Sequence, residues 1–212
     1  MVLEIKISNF RSIRDEVILD LRAGNISTTK SKNLKANLFK FGDLEVLKTA
    51  AIYGANASGK SNIIKAIRFF HNLIFESHNF NQNVTFNCSP FKFDGFSKKP
   101  SAYSIRFVTK GIEYLYAFAM NKNGILKESL YHYPNGKKAR VFTRDETVSK
   151  DKRQIYSFGT SVIKRPYDVA ESTSNKTLFI SRASQMDRDI PKDIFNYFHE
   201  QFILNYHLYT TK

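Results

Sequence analysis

The chain opens on a regular alternation. Val2, Glu4 and Lys6 fall on one side of an extended segment and Leu3, Ile5 and Ile7 on the other, which predicts an amphipathic first strand over 2–8. Asn9-Phe10-Arg11-Ser12 breaks the pattern, and Val17-Ile18-Leu19-Asp20-Leu21 predicts a second strand. From Gly24 to Lys40 the sequence is polar, basic and weakly periodic, as a long loop would be. Leu47-Lys48-Thr49-Ala50-Ala51-Ile52-Tyr53 is a short, mostly apolar run of the kind a buried central strand carries. The period then changes. Ile63, Ile64, Ile67, Phe70 and Ile74 recur at helical spacing, with Ala66, Phe69 and Leu73 widening the stripe, so a helix is predicted from about Lys60 to Ser77.

A different texture follows Asn79–Asn83. Ile105 and Phe107 alternate, and Ile112, Tyr114, Tyr116, Phe118 and Met120 share one strand face. Gly111, Asn121-Lys122-Asn123-Gly124 and Pro134-Asn135-Gly136 punctuate at strand-length intervals. With Ile125–Tyr133, Ala139–Thr143 and Gln154–Phe158 they spell an antiparallel meander rich in Phe and Tyr. Aromatic strands can stack bases or fill a core, and alternation this regular favours the core. From Asn175 the pattern is helical again: Pro191 suits a first turn, and Ile194, Phe195, Phe198 and Phe202 line one face before the apolar run Phe202–Leu208.

Composition narrows the class. With 42% apolar residues in 212, the chain reads as globular. Its apolar runs are too short to span a membrane, and Met1-Val2-Leu3-Glu4 starts a strand rather than a signal peptide. One cysteine, Cys88, excludes an internal disulfide, and no Cys/His cluster suggests zinc, so a cytoplasmic protein is expected. The net charge of +14 invites a nucleic-acid partner, but the basic residues are scattered. Only Lys137–Arg153 and Lys30, Lys32, Lys35 and Lys40 are locally dense. On charge alone, DNA contact and a solvated surface both stand.

The candidate chemistry sits between the third strand and the helix. Gly54-Ala55-Asn56-Ala57-Ser58-Gly59-Lys60-Ser61 is a full Walker A phosphate loop. Its glycines let backbone N–H groups turn toward phosphates, Lys60 can reach the β and γ phosphates, and Ser61 offers a hydroxyl to Mg²⁺. The strand–loop–helix context the motif requires is present in the pattern, so ATP and Mg²⁺ are the expected ligands.

Together with Ile5-Lys6-Ile7-Ser8-Asn9-Phe10-Arg11-Ser12-Ile13, the run Tyr53–Asn62 resembles the N-terminal half of an ABC/SMC-type ATPase head. More narrowly, it resembles the prokaryotic AAA-family ATPases grouped with RecF, OLD-type and abortive-infection proteins. Weaker matches run through Pro90–Asp94, Lys127–Tyr131, Val141–Arg144 and Leu178–Arg182. The resemblance implies an α/β P-loop NTPase lobe: a mixed sheet around the phosphate-loop helix plus an antiparallel meander. The expected divisions are 1–80 (strands, loop and helix), 81–160 (meander) and 161–212 (helical part). It implies that Lys60 and Ser61 hold phosphate and magnesium, with Asn62 beside them. It assigns Arg11 to nucleotide phosphates or nearby DNA, against a reading as an exposed turn cation. It places Gln185 as a loop glutamine near Mg²⁺, against a reading as a surface residue.

The departures from that family are large. No apolar strand after the loop ends in the carboxylate pair that would hold Mg²⁺ and activate water. Val17–Leu21 precedes the loop, and Leu21 stands where the second carboxylate would be. A Leu-Ser-Gly-Gly-Gln-like signature and a switch histidine are also absent, since His71, His78, His132, His199 and His207 each lie singly in helix or strand patterns. No catalytic residue is therefore assigned. The expectation is an ATP-binding lobe, linked to DNA repair or phage defence, whose hydrolysis awaits a second head in a homodimer or a missing C-terminal half. DNA and an effector nuclease are its expected partners. The alternatives are a non-enzymatic DNA- or partner-binding fragment and, less compatible with the long meander, a small phosphoryl-transfer kinase.

Overall fold

A computed structural model describes residues 1–24 and 36–200. The alternating start forms β1 (Val2–Ser8), which pairs with β2 (Val17–Asp20) on one side and β5 (Ser101–Thr109) on the other. β6 (Ile112–Asn121), β7 (Gly124–His132), β8 (Ala139–Asp145) and β9 (Tyr156–Phe158) continue the sheet in the order β2-β1-β5-β6-β7-β8-β9. The first two strands and the meander are thus one sheet, and every strand pairing among the described residues is antiparallel. The expected mixed sheet around the loop helix does not form among them.

Register explains the core. Ile5, Ile105, Tyr116, Leu130, Phe142 and Phe158 form one row across the sheet, and Ile7, Tyr103, Phe118, Glu128, Arg144 and Tyr156 the next. Helix α1 (Lys60–Glu76) lays Ala66, Ile67, Phe70, Leu73 and Ile74 on this face, with the Phe70 ring stacked 5.5 Å from Phe118. Two short helices, α2 (Lys152–Ile155) and α3 (Pro166–Glu171), flank β9, and α4 (Phe179–Gln185) and α5 (Asp189–Glu200) complete the layer. Phe198 of α5 meets Phe70 edge-on, so the last helix closes on the first. The opposite face of the sheet carries Ser104, Ala117, Ser129, Thr143 and Ser157.

Two charged residues in the second row are buried, and they tie the sheet to α4. Glu128 accepts hydrogen bonds from the Phe179 N–H (2.7 Å), the Ile180 N–H (3.1 Å) and the Tyr116 hydroxyl (2.9 Å). Arg144 lies 3.5 Å from Glu128 and donates to Thr177 O, Ser174 O and Glu146. The carboxylate thus caps the N–H groups that open α4, while the guanidinium holds the carbonyls of the turn before it. Three segments that carried the family resemblance, around Glu128, Arg144 and Phe179, meet here in a structural rather than catalytic cluster.

The structure also departs from the sequence reading before the loop. The last three residues of the polar stretch, Leu38–Lys40, are not loop but part of a hairpin, β3 (Leu38–Phe41) with β4 (Leu44–Leu47). The cluster at Lys30, Lys32 and Lys35, and the apolar run Phe202–Leu208, lie outside the described residues. The expected strand at 47–53 is absent beyond Leu47: residues 48–53 have no strand assignment and are exposed, Tyr53 by 90%. A strand needs a neighbour for its N–H and C=O groups, and among the described residues that pairing stops at Lys48, whose N–H donates to Asn37 O at 2.9 Å.

Candidate nucleotide-binding loop

The loop's shape follows from where its glycines stand. Gly59 caps α1 at φ 95°, ψ 0°, a left-handed turn, and Ala57 also has a positive φ of 65°. The helix start carries no side-chain cap and no acidic residue in its first turn. Its leading N–H groups therefore face outward with the positive end of the helix dipole behind them, the arrangement that favours an anion. Gly54 to Ser58 are exposed, and Lys60 is half-buried.

Lys60 folds back over the loop. Its Nζ donates to Gly54 O at 2.7 Å and Ala55 O at 2.6 Å, with Ser58 Oγ at 3.5 Å. The ammonium thus sits over the ring of backbone it would share with a phosphate. Ser61 stands exposed at the first turn. The Asn62 amide points sideways and donates to Ser12 Oγ at 2.7 Å.

That contact brings in the turn the sequence singled out. Phe10 and Ile13 exchange two backbone hydrogen bonds, each 2.8 Å, so Arg11 and Ser12 form the tip of a tight turn. Arg11 takes a left-handed φ of 52°, donates its N–H to Ser89 O, and rests its guanidinium 5.7 Å from the Phe10 ring centre. The structure therefore sets Arg11 one residue from a direct contact with the loop. Ser12 is the partner that sequence reasoning missed as a loop contact. A Cβ on Gly59 would come within 3.0 Å of its Oγ.

Gly59→Ala therefore combines two penalties, a left-handed φ that disfavours any side chain and a crowded Ser12 hydroxyl. We expect a stability loss of about 1–2 kcal/mol together with weakened triphosphate binding. Thermal melts and nucleotide titration check it, and Gly59→Ala in a Ser12→Gly background should recover part of the loss.

The family model described as "AAA domain, putative AbiEii toxin, Type IV TA system" matches residues 50–204. The chain belongs to this AAA family. The match takes in the whole phosphate loop, α1 and the meander, and it marks the chain as an ATPase-like nucleotide-binding domain. No curated protein matches the chain.

Within this AAA domain, Gln185 is not brought to the loop. It is exposed at the end of α4, whose Arg182 and Ser181 contact His78 just beyond the C-terminal end of α1. The 17 residues of α1 make it about 25 Å long, so the glutamine belongs to the opposite pole from Lys60. The surface reading of Gln185 fits this placement. His71, His78, His132 and His199 pack against Phe75, Ser181, Tyr114 and Phe75 respectively, away from the loop. No helix among the described residues is long and apolar enough to cross a membrane.

The hollow beside the loop is shallow, about 340 Å³, and is lined by Ser12, Asp15, Glu16, Ser58 and Gly59. Wider hollows lie elsewhere, one of about 590 Å³ on the small-residue face of the sheet and one of about 830 Å³ between the β3–β4 hairpin and α5. A phosphate loop grips with main-chain amides on an open surface, so cavity size is a poor guide to it.

Proposed function

We propose that this AAA domain is the ATP-binding lobe of an ABC/SMC-like ATPase. The observation that carries the reading is the left-handed Gly59 opening an uncapped helix, with the Lys60 ammonium over the loop. The loop residues fit a triphosphate. The N–H groups of Gly59 to Ser61 would cradle the β phosphate, while that of Asn62 stays on Gly59 O; Lys60 would exchange its carbonyl partners for β and γ oxygens, and the Ser61 hydroxyl would face Mg²⁺. Arg11, next to the Ser12–Asn62 contact, would leave the Phe10 ring to approach the outer phosphates. Bound MgATP supplies the phosphoanhydride bond and the charge neutralisation that these residues orient.

Hydrolysis asks for a carboxylate pair at the end of an apolar strand beside the loop, and the described residues form none. β8 ends at Asp145 with Glu146 after it, but Asp145 pairs with Lys127 at 2.8 Å and Glu146 with Arg144 at 2.6 Å. Three strands separate β8 from β1. Asp15 is engaged by Arg14 at 2.8 Å. In this reading the water-activating pair would come from a second head or a C-terminal half, with ATP acting as glue between them. A role in phage defence or DNA repair, with DNA and an effector nuclease coupled to head closure, follows by analogy with the ATPases the sequence resembles.

The test is a titration of the purified chain with a fluorescent ATP analogue and Mg²⁺, alongside phosphate release. We expect measurable binding and negligible turnover. Robust hydrolysis that Lys60→Ala abolishes would show that the carboxylates lie within this chain after all. An absence of triphosphate binding would overturn the reading itself. A second reading, a non-enzymatic DNA- or partner-binding module, is favoured by the net charge of +14, and a steep salt dependence of DNA binding without nucleotide binding would select it.

A further inference from the structure

About a third of the described basic residues have a carboxylate close by. Lys6, Arg14, Arg22, Lys40, Arg106, Lys110, Lys127, Arg144, Lys152 and Lys192 all sit in ion pairs. Three basic residues outside these pairs gather at a cavity. A recess of about 310 Å³ at the end of β5 and β6 is lined by Lys98, Lys99 and Lys122 together with Ser97, Asn121 and Asn123. No carboxylate lines it, and among the described residues none lies within ion-pair distance of those three lysines.

The recess is held in shape by the motif asparagine that the nucleotide site leaves unused. Asn9 is 3% exposed. Its Nδ2 donates to Phe96 O (2.9 Å), Lys99 O (2.9 Å) and Pro100 O (3.2 Å), and its Oδ1 accepts from the Phe91 N–H. The same loop presents aromatic rings: Lys99 Nζ lies 4.0 Å from the Phe96 ring centre, Phe96 meets Phe91 edge-on, and Phe91 meets Phe93. Phe93 is 69% exposed. A basic recess whose loop also carries an exposed ring matches a backbone phosphate followed by an unstacked base.

We propose that this recess binds single-stranded nucleic acid, with Lys98, Lys99 and Lys122 on the backbone phosphates and Phe93 beneath a base. The proposal rests on the DNA-linked reading above for the class of partner, but on none of the phosphate-loop residues. Asn9 and Arg11 flank Phe10 in one turn, and the Arg11 N–H bonds to Ser89 O. Strand binding and nucleotide loading thus share a scaffold.

The experiment uses the full chain, a fluorescent oligothymidylate, a duplex and inorganic tripolyphosphate, each over a range of salt. Lys98→Gln/Lys99→Gln/Lys122→Gln should weaken oligothymidylate binding by about tenfold or more and lower the salt slope by about 2, at roughly 0.7 per lost phosphate contact. Phe93→Ala should weaken the oligonucleotide by about tenfold and leave tripolyphosphate binding unchanged. All of these side chains are exposed, so melting temperatures should hold. An unchanged affinity and slope in the triple variant would overturn the site. Equal binding of duplex, or indifference to Phe93→Ala, would overturn the single-strand assignment. Loss of oligonucleotide binding in Lys60→Ala would place the strand on the phosphate loop instead. ATP-analogue binding is read in the same variants, so failure of the nucleotide reading is seen separately from failure of this one.

Discussion

Lys60→Ala is expected to lose triphosphate affinity by about 100-fold or more while the chain keeps its fold. The ammonium contributes hydrogen bonds to charged oxygens, each worth roughly 1.5–3 kcal/mol, and two such contacts account for a loss of that order. The folded state should hardly notice. Lys60 bonds only to the carbonyls of Gly54 and Ala55 and to Ser58, and all three residues are exposed and can turn to water. Those same contacts must open before a phosphate enters, so the loop trades one set of oxygens for another. Lys60→Arg should fail nearly as badly, because a planar fork cannot replace a compact point charge inside a ring of amides. Titration with a fluorescent ATP analogue and Mg²⁺, paired with a thermal melt, reads both quantities. Unchanged affinity would mean that the nucleotide is held somewhere else.

How far the sequence could be read depended on whether the relevant partner was local. The alternation of Val2–Ser8 and of Ile112–Met120 and the helical stripe from Ile63 to Ile74 each became the element expected, because period and burial act over neighbouring residues. Residues 48–53 failed that test. An apolar run says that a segment can be buried as a strand, not that a second strand is there to receive it. The β3–β4 hairpin was illegible for the converse reason: two four-residue strands carry too little pattern. At the site, the loop was legible from its glycines and lysine, but its neighbour Ser12 was not, although it lies in the same motif as Arg11. Nothing about a lone glutamine fixes its place, and Gln185 stands at the far end of α1. Asn9's four hydrogen bonds to Phe91, Phe96, Lys99 and Pro100 join segments 82 to 91 positions apart, and no local pattern announces them. The buried pair did leave a signal. Glu128 and Arg144 fall two residues from Leu130 and Phe142, on the face that should be apolar, where a charge must have partners.

Those partners make Glu128 the residue whose loss should cost the fold most. Replacing it with glutamine keeps its size but turns one acceptor oxygen into an NH₂ group. One oxygen meets the Phe179 N–H and Arg144, and the other meets the Ile180 N–H and the Tyr116 hydroxyl, so either orientation sets donor against donor. Arg144, itself buried, would also lose one of its two anionic partners. Breaking a buried pair in this way typically costs about 3–5 kcal/mol, which for a domain of marginal stability approaches the whole margin. The pH dependence has a definite sign. Burial pushes the Glu128 carboxyl above its ordinary 4.5, against the pull of Arg144 and the three other donors. A raised carboxyl contributes stability that is fully present below its unfolded pKa and is lost as pH rises through the folded value. The gap between the parent chain and Glu128→Gln should therefore be widest in mild acid and narrow as pH climbs through that window, while the parent stays the more stable. Urea unfolding of both chains across the acid-to-neutral range measures it. A gap that widens with pH would mean that the native carboxyl is depressed, with Arg144 and the α4 amides outweighing burial. A gap near zero throughout would mean that α4 does not depend on the cap.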